Sequence, residues 1–320
     1  EELTVGTVEA SSSLKKSVAN YNRTNSEVEV KLVEYGKGSA SELNYSLSGS
    51  EISSNGEQLL FRELLAGNCP DIINLDYDSL LKFSNSNIFY DLTECVNASE
   101  KVTLGQNIID SYTFKGKLIS VPLRLKVKTV LVVDDDSNTN LFMDGNEYEY
   151  LEYYYYSSIN KFYDEKKGTF NFDNDDFKRV LADCKARVGI KPRETGYFFI
   201  NEEEKYHQYE YIIRSTYTIP VLNQILGTNK YKMLGYGYEG GIGRHFFVES
   251  DGSYGIYRKT DKKELAWDFL EFLLTEVNKT EISNAWDGLP ANDYARNRLY
   301  ELDSSDSTMI GANGETQRGS

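Results

Sequence analysis

The first 35 residues of the chain combine two kinds of hydrophobic pattern. The segments LTVGTV (Leu3 to Val8) and VEVKLVEY (Val28 to Tyr35) alternate as β-strands do. Between them, SSSLKKSVANYNRTN places Leu14, Val18 and Tyr21 at helical spacing, behind serines that suit a helix N-cap. A strand, a helix and a strand at this spacing predict a βαβ unit, and therefore a sheet with parallel strands.

A third strand is predicted in NCPDIINLDYDSLLKF, where Ile72 to Leu75 form an apolar run. Asp76, Tyr77 and Asp78 follow where the strand should end, and SLLKF then reads as a helix. Ligands of open α/β sheets bind outside the carboxyl ends of the strands, so we predict that Asp76 and Tyr77 border a ligand site. A solvated loop is the alternative for these two residues, and Asp78 is predicted to N-cap the helix.

Composition and charge limit the classes of partner. With 320 residues the chain has the length of about two domains. The formal net charge is −15, from 35 basic and 50 acidic residues, which argues against nucleic acid and anionic membranes as partners. Tyrosine is abundant, with 25 copies against 2 of tryptophan, and it suits a surface that holds a polar ligand with an apolar face.

Motifs for metals, nucleotides and covalent catalysis are missing from the sequence. The three cysteines, Cys69, Cys95 and Cys184, form no C-x-x-C pair. Two interpretations remain for them: three buried thiols, or a disulfide between Cys69 and Cys95. GYGYEG is followed by no predicted helix, so it does not indicate a dinucleotide site. We therefore expect no cofactor, no metal and no catalytic residues, although the paired carboxylates of a glycoside hydrolase stay open because acidic residues are abundant.

Three further segments have a predicted secondary structure. HQYEYIIRSTYTIPVLNQIL is predicted to be mainly helical. In TFNFDNDDFKRVLADCKARVG, Asp173 is predicted to cap a helix. A tyrosine-rich segment, YEYLEYYYYSSINKFYDE, is predicted to be a helix with too many tyrosines for all of them to be buried on one face.

Four segments, taken in order, resemble an extracellular solute-binding protein of a carbohydrate ABC importer, the family that includes maltose-binding protein. The first is GNCPDIINLDYDSLLKFSNSNIFYDLTE, with its Pro-Asp-Ile and Asp-Leu-Thr. The second is FKGKLISVPLRLKVKTVLV, which in this family crosses from the first lobe to the second. The others are GIYRKTDKKELAWDFLEFLLTE and the Leu-Pro turn of GLPA. Together they span most of residues 1 to 300.

The resemblance implies an α/β fold with two lobes, like that of periplasmic binding proteins, with hinge crossovers between the lobes. Residues 1–123 and 254–303 would form lobe 1, residues 124–253 would form lobe 2, and residues 304–320 are predicted to be a disordered tail. The second lobe is shorter than is usual in the family, which keeps a ligand-sensing module of a larger surface protein as an alternative.

Nine residues are predicted ligand contacts. Glu9 follows the first strand, and Arg124 and Lys126 follow the crossover proline, where the family places residues of the ligand site; a solvated strand face is their alternative. Tyrosines of the aromatic segment and of EEEKYHQYEY, together with a tryptophan beside the Leu-Pro turn, are predicted to stack on the ligand. The set is Glu9, Asp76, Tyr77, Arg124, Lys126, Tyr154, Tyr206, Tyr209 and Trp286.

The function implied by the resemblance is capture of a small polar ligand, a sugar or an oligosaccharide, by hinge closure. The partners would be this ligand and the membrane subunits of an ABC importer. The protein would be a monomer at the cell surface, attached by a lipid anchor that these residues do not include. A glycoside hydrolase with acidic catalytic residues is the alternative from another class.

Overall fold

A computed structural model describes much of the chain. The described residues are 1–36, 49–84, 86–133, 147–148, 150–151, 162–164, 169–189, 208–213, 222, 226–227, 231–233, 247–250, 252–276, 288–305, 309–310 and 316–317. The chain forms two compact units: unit 1 comprises Glu1–Leu125 and Ser250–Ser320, and unit 2 comprises Lys126–Glu249. The chain passes between the units after Leu125 and again after Glu249. The predicted boundary after residue 123 lies two residues before the first of these points, and the predicted boundary after residue 253 lies four residues after the second.

The main sheet of unit 1 has five strands in the order β2-β1-β3-β13-β6. Strand β1 runs parallel to both β2 and β3, which confirms the predicted βαβ unit. Strand β13, from the returning part of the chain, is antiparallel to β3 and β6. The bounds are β1 (Glu2–Thr7), β2 (Glu29–Glu34), β3 (Ile72–Leu75), β6 (Val121–Pro122) and β13 (Ser253–Ile256).

Helices of unit 1 cover this sheet, and their apolar faces complete one core. Leu3, Ile72 and Ile256 of the sheet are fully buried, as is Phe269 of a helix. Tyr21 packs edge-on against Phe269, with ring centroids 5.0 Å apart. The helices are α1 (Ser12–Thr24), α2 (Gly49–Ala66), α3 (Tyr77–Phe83), α4 (Thr93–Ala98), α5 (Gln106–Ser111), α7 (Lys263–Thr275) and α8 (Asp293–Ser305).

The cap of α3 corrects one prediction. The side chain of Asp76, not that of Asp78, accepts the capping hydrogen bond, from the backbone N–H of Ser79 at 2.8 Å. Strand β3 ends at Leu75 and α3 begins at Tyr77, so a single residue with an extended backbone joins them. An N-cap residue needs such a non-helical backbone, which Asp78, inside the helix, does not have.

Asp71, just before β3, joins β1 to the returning part of unit 1. Its Oδ2 accepts hydrogen bonds from the backbone N–H of Thr4 at 2.9 Å and from the Thr4 hydroxyl at 2.7 Å. Its Oδ1 accepts one from the Thr260 hydroxyl at 2.6 Å, and Lys262 Nζ lies 3.7 Å from Oδ2. Burial raises the pKa of this carboxyl, but the hydrogen bonds and Lys262 outweigh burial, so its pKa lies below its ordinary value.

Short strands complete unit 1. A hairpin of β4 (Thr113–Phe114) and β5 (Lys117–Leu118) turns at the sequence FKGK, with positive φ at Lys115 and Gly116. Strand β14 (Leu289–Pro290) contains the Leu-Pro turn. In the predicted disordered tail, α8 continues to Ser305, and β15 (Met309–Ile310) pairs with β16 (Thr316–Gln317). The rest of that tail lies outside the described residues.

Unit 2 is described in part. Strand β7 (Arg124–Val133) begins in unit 1 and continues into unit 2. It pairs with two antiparallel strands, β10 and β11, and with β12, which leads back to unit 1. The remaining bounds are β8 (Tyr163–Asp164), β9 (Thr169–Phe170), α6 (Asp175–Ala186), β10 (Gln208–Ile213), β11 (Tyr231–Met233) and β12 (Phe247–Ser250).

Two predictions in unit 2 are wrong. Residues 208–213, predicted to be helical, form strand β10, because the run QYEYII of aromatic and β-branched residues pairs along β7. The cap of α6 is Asn174 and not Asp173: the Asn174 side chain accepts from the backbone N–H of Phe177 at 2.8 Å. Most of the tyrosine-rich segment and the GYGYEG segment lie outside the described residues.

Two global features bear on the sequence predictions. Cys69, Cys95 and Cys184 are all free thiols, which settles the open question of a disulfide. No helix within the described residues is long and apolar enough to cross a membrane.

Candidate functional site

A pocket of about 140 Å³ lies in unit 1, beside the carboxyl ends of β1 and β3. A single water needs only about 10–15 Å³ of such space, so the pocket has room for a larger molecule. Its lining combines charged, hydroxyl and apolar side chains, which come among others from the β1–α1 connection, from β3 and from the segment that returns to unit 1. This is the position at which ligands bind open α/β sheets.

The β1–α1 connection forms one wall of the pocket. The Thr7 hydroxyl donates to the backbone carbonyl of Glu9 at 3.1 Å, and Ser11 caps α1 by accepting from the N–H of Leu14 at 3.1 Å. These bonds fix the connection while the Glu9 side chain is exposed to the pocket. Its carboxylate is therefore available to accept hydrogen bonds from a ligand.

Asn74 and Gly252 meet at another part of the lining. The Asn74 amide donates to the Thr7 hydroxyl, with 3.3 Å between Nδ2 and Oγ1. A Cβ at Gly252 would lie 2.5 Å from Asn74 Oδ1, and the φ of Gly252 is +151°. The backbone conformation favours glycine at this position, and a larger residue would also displace the Asn74 amide.

Arg124 is held at the edge of the pocket by the Leu-Pro segment. Pro290 pairs with Arg124 in the sheet, and Arg124 Nη1 donates to the carbonyl of Gly288 at 3.3 Å. Gly288 has a φ of +97°, and a Cβ there would lie 2.8 Å from the carbonyl oxygen of Leu125. The segment therefore approaches β7 closely, and it fixes the guanidinium beside the pocket.

The end of α7 contributes both apolar and acidic groups. Leu273 and Leu274 line the pocket together with Glu276, the residue that ends the helix. Glu276 is half-buried, and its Oε1 accepts from the Asn20 amide at 2.5 Å. A second carboxylate is thus fixed at the pocket in addition to that of Glu9.

Asn292 holds this wall in place without lining the pocket. The buried amide donates to the carbonyls of Lys101 at 2.9 Å and Leu274 at 3.1 Å. Its Oδ1 accepts from the backbone N–H of Thr103 at 2.8 Å. Leu274 lines the pocket, and so does Pro290, which lies two residues before Asn292. This network therefore positions both the end of α7 and strand β14 at the pocket.

Two buried tyrosines lie near the point where the chain returns to unit 1. Tyr254 lines the pocket, and burial raises its pKa well above the ordinary value. Tyr112 hydrogen-bonds Ser250, with 2.7 Å between the hydroxyl oxygens, and burial raises its pKa to about 12. Both phenols are therefore neutral near pH 7.

The structure is similar to solved structures, although no family model and no curated protein matches the sequence. An oligogalacturonide binding protein from Yersinia enterocolitica matches with a TM-score of 0.61 at 14% identity, over 98% of this chain and 86% of that one. An ABC substrate-binding protein from Listeria monocytogenes, in complex with cycloalternan, matches with a TM-score of 0.54 at 14% identity, over 95% and 86%. A de novo designed esterase matches with a TM-score of 0.59 at 14% identity, over 94% and 82%.

The chain has the solute-binding-protein fold. The predicted fold class is confirmed by this likeness and by the parallel strands of the first sheet. At 14% identity the likeness establishes the fold alone. The pocket residues therefore have to be interpreted from their own chemistry.

In this solute-binding-protein fold, two of the nine predicted contacts line the pocket. They are Glu9 and Arg124, which are 115 positions apart in sequence. Lys126 is the first residue of unit 2 and is not among the lining residues. Tyr154, Tyr206 and Trp286 lie outside the described residues, as does the side chain of Tyr209, whose backbone belongs to β10.

Asp76 and Tyr77 do not line the pocket. Asp76 caps α3, and Tyr77 is half-buried against its neighbours. The Tyr77 hydroxyl donates to the carbonyl of Ser111 at 3.0 Å, and its ring packs edge-on against Tyr112 at a centroid distance of 5.3 Å. Their position at the end of β3 is as predicted, and a contact of either residue with a ligand stays a prediction.

Three residues of the site were not found from the sequence: Asn74, Glu276 and Asn292. Asn74 carried a usable signal, since it is a polar residue inside the apolar run of β3. Glu276 reaches the pocket, and Asn292 contacts the Leu274 wall of the pocket, only because the chain returns to unit 1. Among the described residues, no group of three or more His, Cys, Asp or Glu side chains is arranged to hold a metal ion.

Proposed function

We propose that this chain captures a carbohydrate, a sugar or an oligosaccharide, and delivers it to the membrane subunits of an ABC importer. The observation that carries the proposal is the pocket of unit 1, where Glu9 and Arg124 lie together beside the carboxyl ends of β1 and β3. The solute-binding-protein fold supports it, as do the names of two structures with that fold, which refer to oligogalacturonide and cycloalternan.

The chemistry of the lining suits a sugar. A sugar presents hydroxyl groups around its edge and C–H groups on its faces. The pocket offers Glu9 and Arg124 as hydrogen-bonding groups, and Leu123, Leu273 and Pro290 as apolar surface. Apolar surface combined with polar groups that fix the orientation of the ligand is typical of sites for small ligands.

The mechanism in this proposal is reversible binding with hinge closure and without a covalent step. Ligand contacts that form in only one conformation shift the population toward it. The hinges would lie where the chain passes between the units, near residues 121–125 and 250–255. Lys126, Tyr154, Tyr206, Tyr209 and Trp286 remain proposed ligand contacts on the basis of the sequence.

The cellular setting is part of the proposal. Delivery to an importer places the protein outside the cytoplasm of a bacterium, as a monomer attached to the cell surface by a lipid anchor. The net charge of −15 is consistent with a protein that does not bind nucleic acid.

A binding screen followed by titration calorimetry tests the proposal. A thermal-shift screen against sugars, peptides and polyamines should identify a sugar, and Glu9→Ala should then weaken its binding. Loss of a hydrogen bond to a charged group, worth about 1.5–3 kcal/mol, weakens binding tenfold or more. Glu94→Ala is the matched control, since Glu94 is an exposed glutamate of α4 outside the pocket, and should bind normally.

Three outcomes would contradict the proposal. Binding of peptides or polyamines and of no sugar would refute the ligand class. Release of shortened products from an oligosaccharide would favour a glycoside hydrolase. Identical small-angle scattering profiles with and without bound sugar would favour a sensing module that does not close.

A further inference from the structure

The charges around the pocket restrict which sugars fit it. We infer that the pocket accepts neutral sugars and amino sugars and discriminates against uronates, whose C6 is a carboxylate. The inference rests on the proposed function, because it specifies the ligand class of the same site. It concerns the pocket of unit 1 alone.

The first observation is the charge of the lining. The described lining residues include two acidic side chains, Glu9 and Glu276, and one basic side chain, Arg124. A third carboxylate, on the ligand, would therefore enter a site whose described lining already has an excess of negative charge. The rest of the protein does not offset this repulsion, because the chain as a whole has a net charge of −15.

The second observation concerns the one basic side chain of that lining. A guanidinium recognises a carboxylate best when its planar fork can donate two parallel hydrogen bonds. Arg124 already donates from Nη1 to the carbonyl of Gly288 at 3.3 Å. Part of its fork is thus used inside the protein, and it compensates the charge of a uronate only partly.

The third observation is what the two carboxylates can do. Glu9 is exposed and accepts hydrogen bonds, so it suits the hydroxyl of a neutral sugar or the ammonium of an amino sugar. Glu276 is half-buried and held by Asn20, so it acts on the ligand mainly through its charge. Charges that are partly buried are screened less by salt than exposed ones.

The pocket therefore selects partly by repulsion, which is a common source of specificity. Each exposed charge pair changes an equilibrium by about 1.4-fold to fivefold. Two carboxylates, partly offset by Arg124, should make a uronate bind about 1.4-fold to twentyfold more weakly than its neutral counterpart. An amino sugar should bind at least as tightly as the neutral sugar.

Calorimetric titration with matched sugars tests the inference. The probes are α-1,4-galactobiose and α-1,4-digalacturonate, which differ only at C6, and the neutral, amino and uronate forms of glucose, of galactose and of any sugar found in the screen. We expect the uronate to bind more weakly within each set, and the difference to grow when ionic strength is lowered.

Charge-neutral variants show whether the two glutamates cause the discrimination. In the double variant Glu9→Gln, Glu276→Gln, we expect the uronate to bind almost as well as the neutral sugar. Glutamine at residue 276 keeps an oxygen that can accept from Asn20, so the fold of this wall should persist, and an unchanged melting temperature checks this. Glu94→Gln, on the exposed face of α4, removes the same charge outside the pocket and should leave the discrimination unchanged.

The outcomes separate the inference from the proposed function. Equal or tighter binding of the uronate overturns the inference and leaves sugar binding intact. Discrimination that survives in the double variant shows that Glu9 and Glu276 are not its cause, which also overturns the inference. Binding of no sugar in any form overturns the proposed function, and the inference with it.

Discussion

Replacing Asp71 with asparagine removes a charge at the start of β3 while keeping the shape of the side chain. The carboxylate receives three hydrogen bonds: two at Oδ2, from Thr4, and one at Oδ1, from Thr260. An amide has an N–H₂ group at one of the two oxygen positions. Either orientation of the asparagine amide therefore leaves at least one of these donors without its acceptor.

The size of the effect follows from these bonds. A hydrogen bond to a charged group contributes about 1.5–3 kcal/mol, and one between neutral groups about 0.5–1.5 kcal/mol. Asp71→Asn loses one charged bond and weakens two others, while rotation of the Thr260 hydroxyl recovers part of the loss. We expect the free energy of unfolding to fall by about 2–4 kcal/mol at pH 7.

The effect should depend on pH in a defined direction. The pKa of Asp71 is lower in the folded protein than the ordinary value of 3.8. The carboxylate thus stabilises the fold fully above the unfolded pKa, and this contribution is lost as pH falls through the folded pKa. The difference between wild type and Asp71→Asn should be constant from pH 7 to about pH 5 and should shrink below about pH 3.8.

Urea unfolding followed by tryptophan fluorescence measures the difference. The chain has two tryptophans, Trp267 and Trp286, and both belong to the residue ranges of unit 1. Asp261→Asn is the control, since Asp261 is exposed and should change stability by less than about 0.5 kcal/mol. The reasoning is refuted if Asp71→Asn matches this control at pH 7, or if its effect does not decrease on acidification.

Three further substitutions test the fold and the site. Asp76→Ala should reduce stability by about 0.5–2 kcal/mol through loss of the α3 cap, while Asp76→Asn, which can still cap, should change it by a few tenths; urea unfolding of both variants checks this. Asn292→Ala should reduce stability by about 1.5–4.5 kcal/mol, because it removes one buried and two partly buried hydrogen bonds to the backbone, and should also weaken sugar binding in calorimetric titration. Gly288→Ala should cost about 1–3 kcal/mol, since alanine is strained at a φ of +97° and its Cβ would collide with a backbone carbonyl; a normal melting temperature would contradict this.

The elements that the sequence predicted well are those with a strong local pattern. The first strand, helix and strand were found because apolar residues recur with a period of 2 and then of 3.6. Gly67, a residue type typical of helix ends, follows the last residue of α2 and has a φ of +82°. Strand β10 was missed because a short run such as QYEYII satisfies both helical and strand patterns, and only its pairing with β7 decides between them.

The cap of α3 shows that the point where a strand ends decides the roles of the residues that follow it. The sequence places two aspartates next to a helix, and either could cap it. The structure selects Asp76 because β3 extends to Leu75 and leaves no other residue for the turn. Where a strand ends depends on its hydrogen bonds to neighbouring strands, and these are not visible in the local pattern.

The sequence by itself determined the parallel sheet, the position of a pocket at the ends of its strands, and two of the side chains that line this pocket, Glu9 and Arg124. Only the tertiary structure decided which other groups complete the pocket. Asn74 is 178 residues from Gly252 in sequence, and Glu276 is 256 residues from Asn20, yet each pair is in contact. These contacts exist because the chain leaves unit 1 and returns to it, and side chains that meet in this way share no periodicity that a local pattern could reveal.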